Sequence, residues 1–143
     1  MARDTTLIAE IGPNHNGDWD LAEEMIDEAA AAGADAVKFQ SYRSDQVDDD
    51  HPEKEWFERV ELPDNIHFDL RDHAQDRGVS FISSPFSVER AKFLVEELKV
   101  TTVKVASSEI VNQPMLAYLN DSKDVDTVLL STGMATLEEI RTA

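Results

Sequence analysis

The chain has 143 residues, 41% of them hydrophobic, and no cysteine; 30 acidic side chains stand against 13 basic ones, for a formal net charge of −17. That balance excludes a nucleic-acid or anionic-membrane surface, which needs a basic face, and the missing cysteine excludes disulfides, thiolate metal sites and cysteine nucleophiles. No apolar run approaches the ~18–20 residues of a membrane span, and Met1-Ala2-Arg3-Asp4 leads straight into a strand, so the expectation is a cytoplasmic protein without a signal peptide.

In chain order, Leu7 to Ile11 reads as the first strand, followed by the loop Gly12-Pro13-Asn14-His15-Asn16-Gly17. Asp18 is placed to cap a helix running to about Ala32, with Leu21, Met25 and Ala29 and then Ala22, Ile26 and Ala30 repeating at i, i+4. Gly33 is its stop. Ala36 to Gln40 is the second strand. The acidic stretch from Ser41 to Glu61 holds a short amphipathic piece around Trp56, Phe57 and Val60, and its Asp48-Asp49-Asp50 cluster lacks the spacing of a calcium-binding loop.

Pro63-Asp64-Asn65 opens a helix that stops at Gly78, and Val79 to Ser83 is the third strand. Ser87 caps a helix with Ala91, Leu94, Val95 and Leu98 facing inward. Thr102 to Ala106 is the fourth strand, Pro114 suits the first turn of a helix to about Leu119, and Thr127 to Leu130 is the fifth strand. Thr136-Leu137-Glu138-Glu139 is a capping box opening a last helix that reaches Ala143 after barely two turns, which reads as the start of a longer element.

Five βα repeats imply a right-handed parallel sheet. A closed (β/α)8 TIM barrel takes about 250 residues, so the expected fold is α/β, an incomplete barrel of about five units. A complete doubly wound sheet is the rival, and it lacks its Gly-x-Gly-x-x-Gly fingerprint after strand one.

Three of these apolar runs carry a charge near their C-terminal ends: Glu10, Lys38 and Lys104. An ionised side chain in a strand buried on both faces is costly unless paired or ligand-bound, and the C-terminal ends of parallel strands are where such folds bind ligands. Gln40 shares a face with Lys38. Ser107-Ser108-Glu109 follows Lys104 out of the fourth strand, and Ser83-Ser84-Pro85 and Ser131-Thr132-Gly133 leave the third and fifth. Two ammonium groups and a ring of hydroxyls suit a doubly anionic small molecule such as a phosphorylated carboxylic acid, with carboxylates at hand to move protons or stabilise a cation. The plain alternative is that each lysine pairs with a neighbouring acid. His15 reads as a ligand contact or a turn residue; His51, His67 and His73 read as surface or packing residues.

The motifs Ile8-Ala9-Glu10-Ile11-Gly12-Pro13-Asn14-His15-Asn16-Gly17, Ala34-Asp35-Ala36-Val37-Lys38-Phe39-Gln40, Phe81-Ile82-Ser83-Ser84-Pro85-Phe86-Ser87, Val103-Lys104-Val105-Ala106-Ser107-Ser108-Glu109 and Leu130-Ser131-Thr132-Gly133-Met134 resemble the successive strand ends of the sialic acid (N-acetylneuraminate) synthase family. The resemblance implies the N-terminal part of a TIM barrel that condenses phosphoenolpyruvate with an N-acetylated amino-sugar such as N-acetylmannosamine, aided by a divalent metal, Mn²⁺ or Mg²⁺. It implies Lys38, Ser84, Lys104 and Ser107 for the phosphate and carboxylate of phosphoenolpyruvate and Gln40 on the sugar side. Glu109 would stabilise the oxocarbenium-like carbon, and Glu10 would lie near the metal and the attacking water. Ser108 stands where the family commonly has Gly. The family's metal-binding histidines, an Asn of the phosphoenolpyruvate site and an antifreeze-like domain belong to later segments, so the expectation for residues 1–143 alone is an inactive portion that forms a homo-oligomer or joins a complementary chain. A Schiff-base aldolase using Lys38 or Lys104 and a non-catalytic half-barrel binding a phosphorylated acid are the other readings.

Overall fold

Short apolar segments closed by glycine and polar turns form five strands in this computed structural model, which describes residues 5–143; the Met1–Asp4 lead-in lies outside the described residues. The strands are β1 (Ile8–Glu10), β2 (Ala36–Ser41), β3 (Ser80–Pro85), β4 (Thr102–Val105) and β5 (Thr127–Leu130), and the helices α1 (Trp19–Ala31), α2 (Lys54–Val60), α3 (Asp64–Asp76), α4 (Val88–Lys92), α5 (Gln113–Asp121) and α6 (Leu137–Thr142). Strand order follows chain order, β1-β2-β3-β4-β5. A doubly wound sheet reverses its order at a switch point; this one does not, so the rival architecture falls. The chain supplies about five βα units of a (β/α)8 barrel.

The chain divides into two compact units at Ile82, within β3. In the first, β1 and β2 are parallel with Ile8 opposite Ala36, Ala9 opposite Val37 and Glu10 opposite Lys38. The Asp18 carboxylate caps α1 by accepting from the Leu21 N–H at 3.1 Å. The helix closes in a Schellman turn, Gly33 N–H donating to Ala30 and Ala34 N–H to Ala29. Ala22 and Ile26 are fully buried, as the i, i+4 pattern requires. Phe39 and Phe81 stack with centroids 5.4 Å apart. The amphipathic piece is α2, whose Phe57 meets Tyr42 edge-on at 5.6 Å, while the Tyr42 hydroxyl donates to the Phe57 carbonyl.

In the second unit, β4 and β5 are parallel with Lys104 opposite Leu129, and Ser83 pairs with Val103. Ser87, Asn112 and Thr136 cap their helices, the last as a full capping box with Glu139. The helix expected after Ser87 is not uniform. α4 gives way at Phe93–Glu97 to a wider turn, where Leu98 N–H reaches back five residues to Phe93 and Val100 N–H six to Leu94. Phe93, Leu94, Val95 and Leu98 are all buried across this segment.

The expectation of strands buried on both faces holds for β2, holds on one face only for β4, and fails at the ends of the sheet. β1 is half-buried and ends at Glu10. β5, although wholly apolar after Thr127, exposes 39% of Val128 and 36% of Leu130. Among the described residues each has a neighbouring strand on one side only, which leaves its second hydrogen-bonding edge unpaired by a strand.

Candidate active site

The residues expected to act lie at C-terminal strand ends in both units. In the first, the register pairs Glu10 with Lys38, and their side chains form an ion pair. Of the three strand charges only Lys38 is buried, at 7% exposure; the Glu10 side chain is 54% exposed and Lys104 is half-buried. The premise of three buried charges is therefore corrected to one. Glu10 sits on an end strand, which leaves its carboxylate open to water. Phe39 points to the side of β2 that carries His15 and Phe81. Alternation along a strand therefore sends Lys38 and Gln40 to the opposite face.

Gly12 closes this corner. Its N–H and that of Ile11 both donate to the Lys38 carbonyl, at 2.9 and 3.0 Å. Its φ is +53°, and a β-carbon there would stand 3.1 Å from Glu10 Oε1 and 3.9 Å from Gln40 Nε2. Glycine lets the backbone come up against the carboxylate and the amide together. Glu10, Lys38 and Gln40 thus gather at one end of the β1–β2 pair.

His15 is a turn residue of the loop that follows. It is 1% exposed, its Nδ1 accepts the Gly17 N–H at 3.1 Å, and its ring lies 5.3 Å from Trp19 and 6.3 Å from Phe39. Burial pushes its pKa below the usual histidine value. The other histidines pack or pair. His67 is buried with Nδ1 3.0 Å from the Pro63 carbonyl. His73 bridges α3 to α1 through Asp27 at 2.6 Å, and His51 meets Phe57 edge-on.

In the second unit, Val103 and Val105 are buried on one side of β4, and Lys104 takes the other face. Ser84 is buried near the end of β3, opposite in facing to Phe81 and Ser83 along that strand. Ser107 and Glu109 lie half-buried in the turn after β4, where Glu109 N–H donates to the Ala106 carbonyl at 2.9 Å. Asn112 Nδ2 donates to Glu109 Oε2 at 2.9 Å while Asn112 Oδ1 caps α5. Asn112 was not singled out from the sequence; the spacing Glu-x-x-Asn ahead of Pro114 is the signal, since a cap three residues after a carboxylate can bond it and the helix start at once.

Among the described residues no group of three or more His, Asp or Glu side chains is arranged to hold a metal ion. His15 and His67 commit Nδ1 to backbone partners. The residues present do not fit a complete divalent-metal site, and no step is assigned through one.

The sequence profile of the NeuB family matches residues 25–143. The N,N'-diacetyllegionaminic acid synthase of Campylobacter jejuni is 36% identical over 154 residues, covering 97% of this chain and 45% of that protein. Its counterpart in Legionella pneumophila is 36% identical over 152 residues, with 96% and 42% covered. The crystal structure of the N-acetylneuraminic acid (sialic acid) synthetase of Leptospira borgpetersenii, in complex with citrate, superposes with a TM-score of 0.88 at 35% identity. It is covered over 98% of this chain and 48% of that one. The chain thus spans under half the length of these relatives. Five βα units in barrel order, with the strand-end motifs in place, make this chain a member of the NeuB family.

Proposed function

We propose that this chain supplies the phosphoenolpyruvate-binding strand ends of a synthase that condenses phosphoenolpyruvate with an N-acetylated amino-sugar, such as N-acetylmannosamine, to a nonulosonic acid in the cytoplasm. The observation that carries the reading is Lys38. It is a lysine on the β2 face opposite Phe39, held beside Glu10 and next to Gln40 at a C-terminal strand end. Lys38, Ser84, Lys104 and Ser107 are the groups assigned to the phosphate and carboxylate, since ammonium and hydroxyl donors satisfy anionic oxygens strongly. Citrate in the Leptospira relative is a small polyanion of the same kind. Glu109, steadied by Asn112, is assigned to the cationic carbon that forms as the enol attacks the aldehyde. Glu10 is assigned to the water that then adds. The described residues hold no cluster that would bind a metal ion, so a Mn²⁺ or Mg²⁺ ion would need ligands from elsewhere in the synthase, and residues 1–143 by themselves are proposed to be inactive.

The test is a chimaera in which the remaining barrel of the Campylobacter synthase follows residue 143. It should form product where residues 1–143 alone do not. Within it, Lys104→Ala should weaken phosphoenolpyruvate binding by about 1.5–3 kcal/mol, one to two decades in affinity. Glu109→Gln should lower kcat more than it raises KM, because its charge matters most in the transition state. Unchanged affinity in Lys104→Ala would make the strand-end lysines structural. Borohydride trapping of a pyruvate adduct in the chimaera would instead favour a Schiff-base aldolase.

A second reading, a half-barrel that assembles with a complementary chain or its own copy, draws support from two surfaces. Val128 and Leu130 are exposed on β5. In the other unit, a 360 Å³ groove along β1 and α1 has Ala9, Ile11, Leu21, Met25 and Ala29 in its wall, with the polar Glu10, Asn14, Glu24 and Glu28 among them. Both surfaces carry apolar side chains of the kind that further βα units cover.

A further inference from the structure

The loop between β1 and α1 is built as consecutive turns. Asn14 N–H donates to Ile11, Asn16 N–H to Pro13 and Asp18 N–H to His15, at 3.1, 3.0 and 2.9 Å. Asn14 Nδ2 adds a second bond to the Ile11 carbonyl at 2.8 Å. Each turn leans on the one before it, back to Gly12, whose backbone is pressed against the Glu10 carboxylate. At the far end Gly17 (φ +82°) lies so close to the Arg59 carbonyl of α2 that any β-carbon there would collide with it. Between these ends stands one side chain that bonds the backbone from a buried position, His15.

His15 does not belong to the ligand face. Its ring contacts Trp19 and Phe39, and Phe39 lies on the side of β2 opposite Lys38. Its polar contact is the Gly17 N–H, which requires an unprotonated Nδ1 and places the proton of the neutral ring on Nε2. We propose that His15 is a positioning residue: by accepting the Gly17 N–H it latches the β1–α1 loop, and through the chain of turns it holds the Gly12 backbone against the Glu10 carboxylate.

The latch opens when the imidazole takes a second proton, because Nδ1–H then faces Gly17 N–H, donor against donor. Among the described residues no carboxylate bonds the His15 ring, and burial is the cause of its shift. α1 presents Trp19 and β2 presents Phe39, Asp18 spends its carboxylate on the Leu21 N–H, and the nearby Arg59 is itself cationic. Burial lowers the His15 pKa from 6.5, so protons bind preferentially to the open loop. The latch is therefore fully set above about pH 6.5 and lost as pH falls through the lower, folded value.

The experiment uses the chain itself, ¹⁵N-labelled, with amide exchange read residue by residue. His15→Leu keeps an apolar side chain and removes the acceptor, and exchange at Gly17 and Gly12 should quicken about three- to tenfold, the factor one net hydrogen bond commands. His15→Asn, whose Oδ1 stands near the place of Nδ1, should restore protection. In unsubstituted protein, acidification below pH 6.5 should release Gly17 before the buried amides of β2, and in a Trp56→Phe background Trp19 emission should change over the same interval. This pH arm stands even if His15→Leu fails to fold. Unchanged Gly17 exchange in His15→Leu, equal loss in His15→Asn, or Gly17 release only together with β2 would each reduce His15 to packing and overturn the proposal.

The importance given to Glu10 rests on the proposed function, but its coupling to the loop does not. The carboxyl ¹³C shift of Glu10 should move in His15→Leu and return in His15→Asn. A Glu10 signal that stays put while Gly17 opens would overturn the link to the carboxylate. A chimaera that makes no product while Gly17 and Glu10 respond as described would instead overturn the synthase reading and leave the latch standing.

Discussion

Strands β2 and β5 invert the usual relation between composition and burial. β2 reads Ala-Val-Lys-Phe-Gln-Ser, with an ammonium at its centre, and five of its six residues are buried. β5 reads Thr-Val-Leu-Leu and is mostly exposed. The difference is one of neighbours. In the first unit, β2 has β1 along one edge and Phe81 stacked on Phe39, and its lysine has Glu10. β5 has β4 on one edge and, among the described residues, no strand on the other. Apolar content measures what a strand gains by burial, whereas the number of elements laid against it decides how much of that gain is realised.

The largest effect that sharpens this contrast is on stability. Phe39→Ala should cost about 3–5 kcal/mol, because a large fully buried ring leaves a cavity, while Leu130→Ala should stay within about 0.5 kcal/mol, as at other exposed positions. Urea unfolding of the two variants checks this, and equal costs would show that β5 is covered in solution. Next comes association. If the open edge and face of β5 recruit a second copy, light scattering should report oligomers or aggregates, and Val128→Lys should shift them toward monomer. A monodisperse, cooperatively unfolding monomer before any substitution would break the comparison at its exposed end.

A smaller change is expected from salt. With a net charge of −17, self-repulsion should relax as KCl rises from about 0.1 M to 1 M and the Debye length falls from about 10 Å to 3 Å. Circular dichroism should then show a gain in helicity, and a flat response would show that charge repulsion does not limit folding.

The smallest effect lies between α1 and α3. Arg77 and then His73 hydrogen-bond the Asp27 carboxylate and hold its pKa down to about 2 from 3.8. A carboxylate depressed in the folded state contributes above its unfolded pKa and loses that contribution as pH falls through the folded one. Asp27→Asn should therefore flatten the acid limb of the stability curve between about pH 4 and 2, and an unchanged limb would make the bridge incidental. The bridge is solvent-exposed, so its effect should be modest.

Much of this could be read from residue order. Asp18, Ser87, Thr136 with Glu139, and the glycines at 33 and 78 mark helix ends by local hydrogen bonding, which is why those boundaries agree with the structure within a residue or so. The five strand-end motifs and their spacing were likewise enough to show the family. Local chemistry of this kind acts over a few residues, so the sequence carries it whole.

What needed the tertiary structure is everything set by a neighbour distant in the chain. Glu10 and Lys38 are 28 residues apart, and only the register of β1 on β2 makes them a pair. His15 could have been ligand or turn until Phe39, from the next strand, came against its ring. Lys104 and Glu10 carry the same strand-end signature as Lys38, yet burial reached only Lys38. A side chain's desolvation depends on what folds against it, and the residues beside it in the chain hold no record of that.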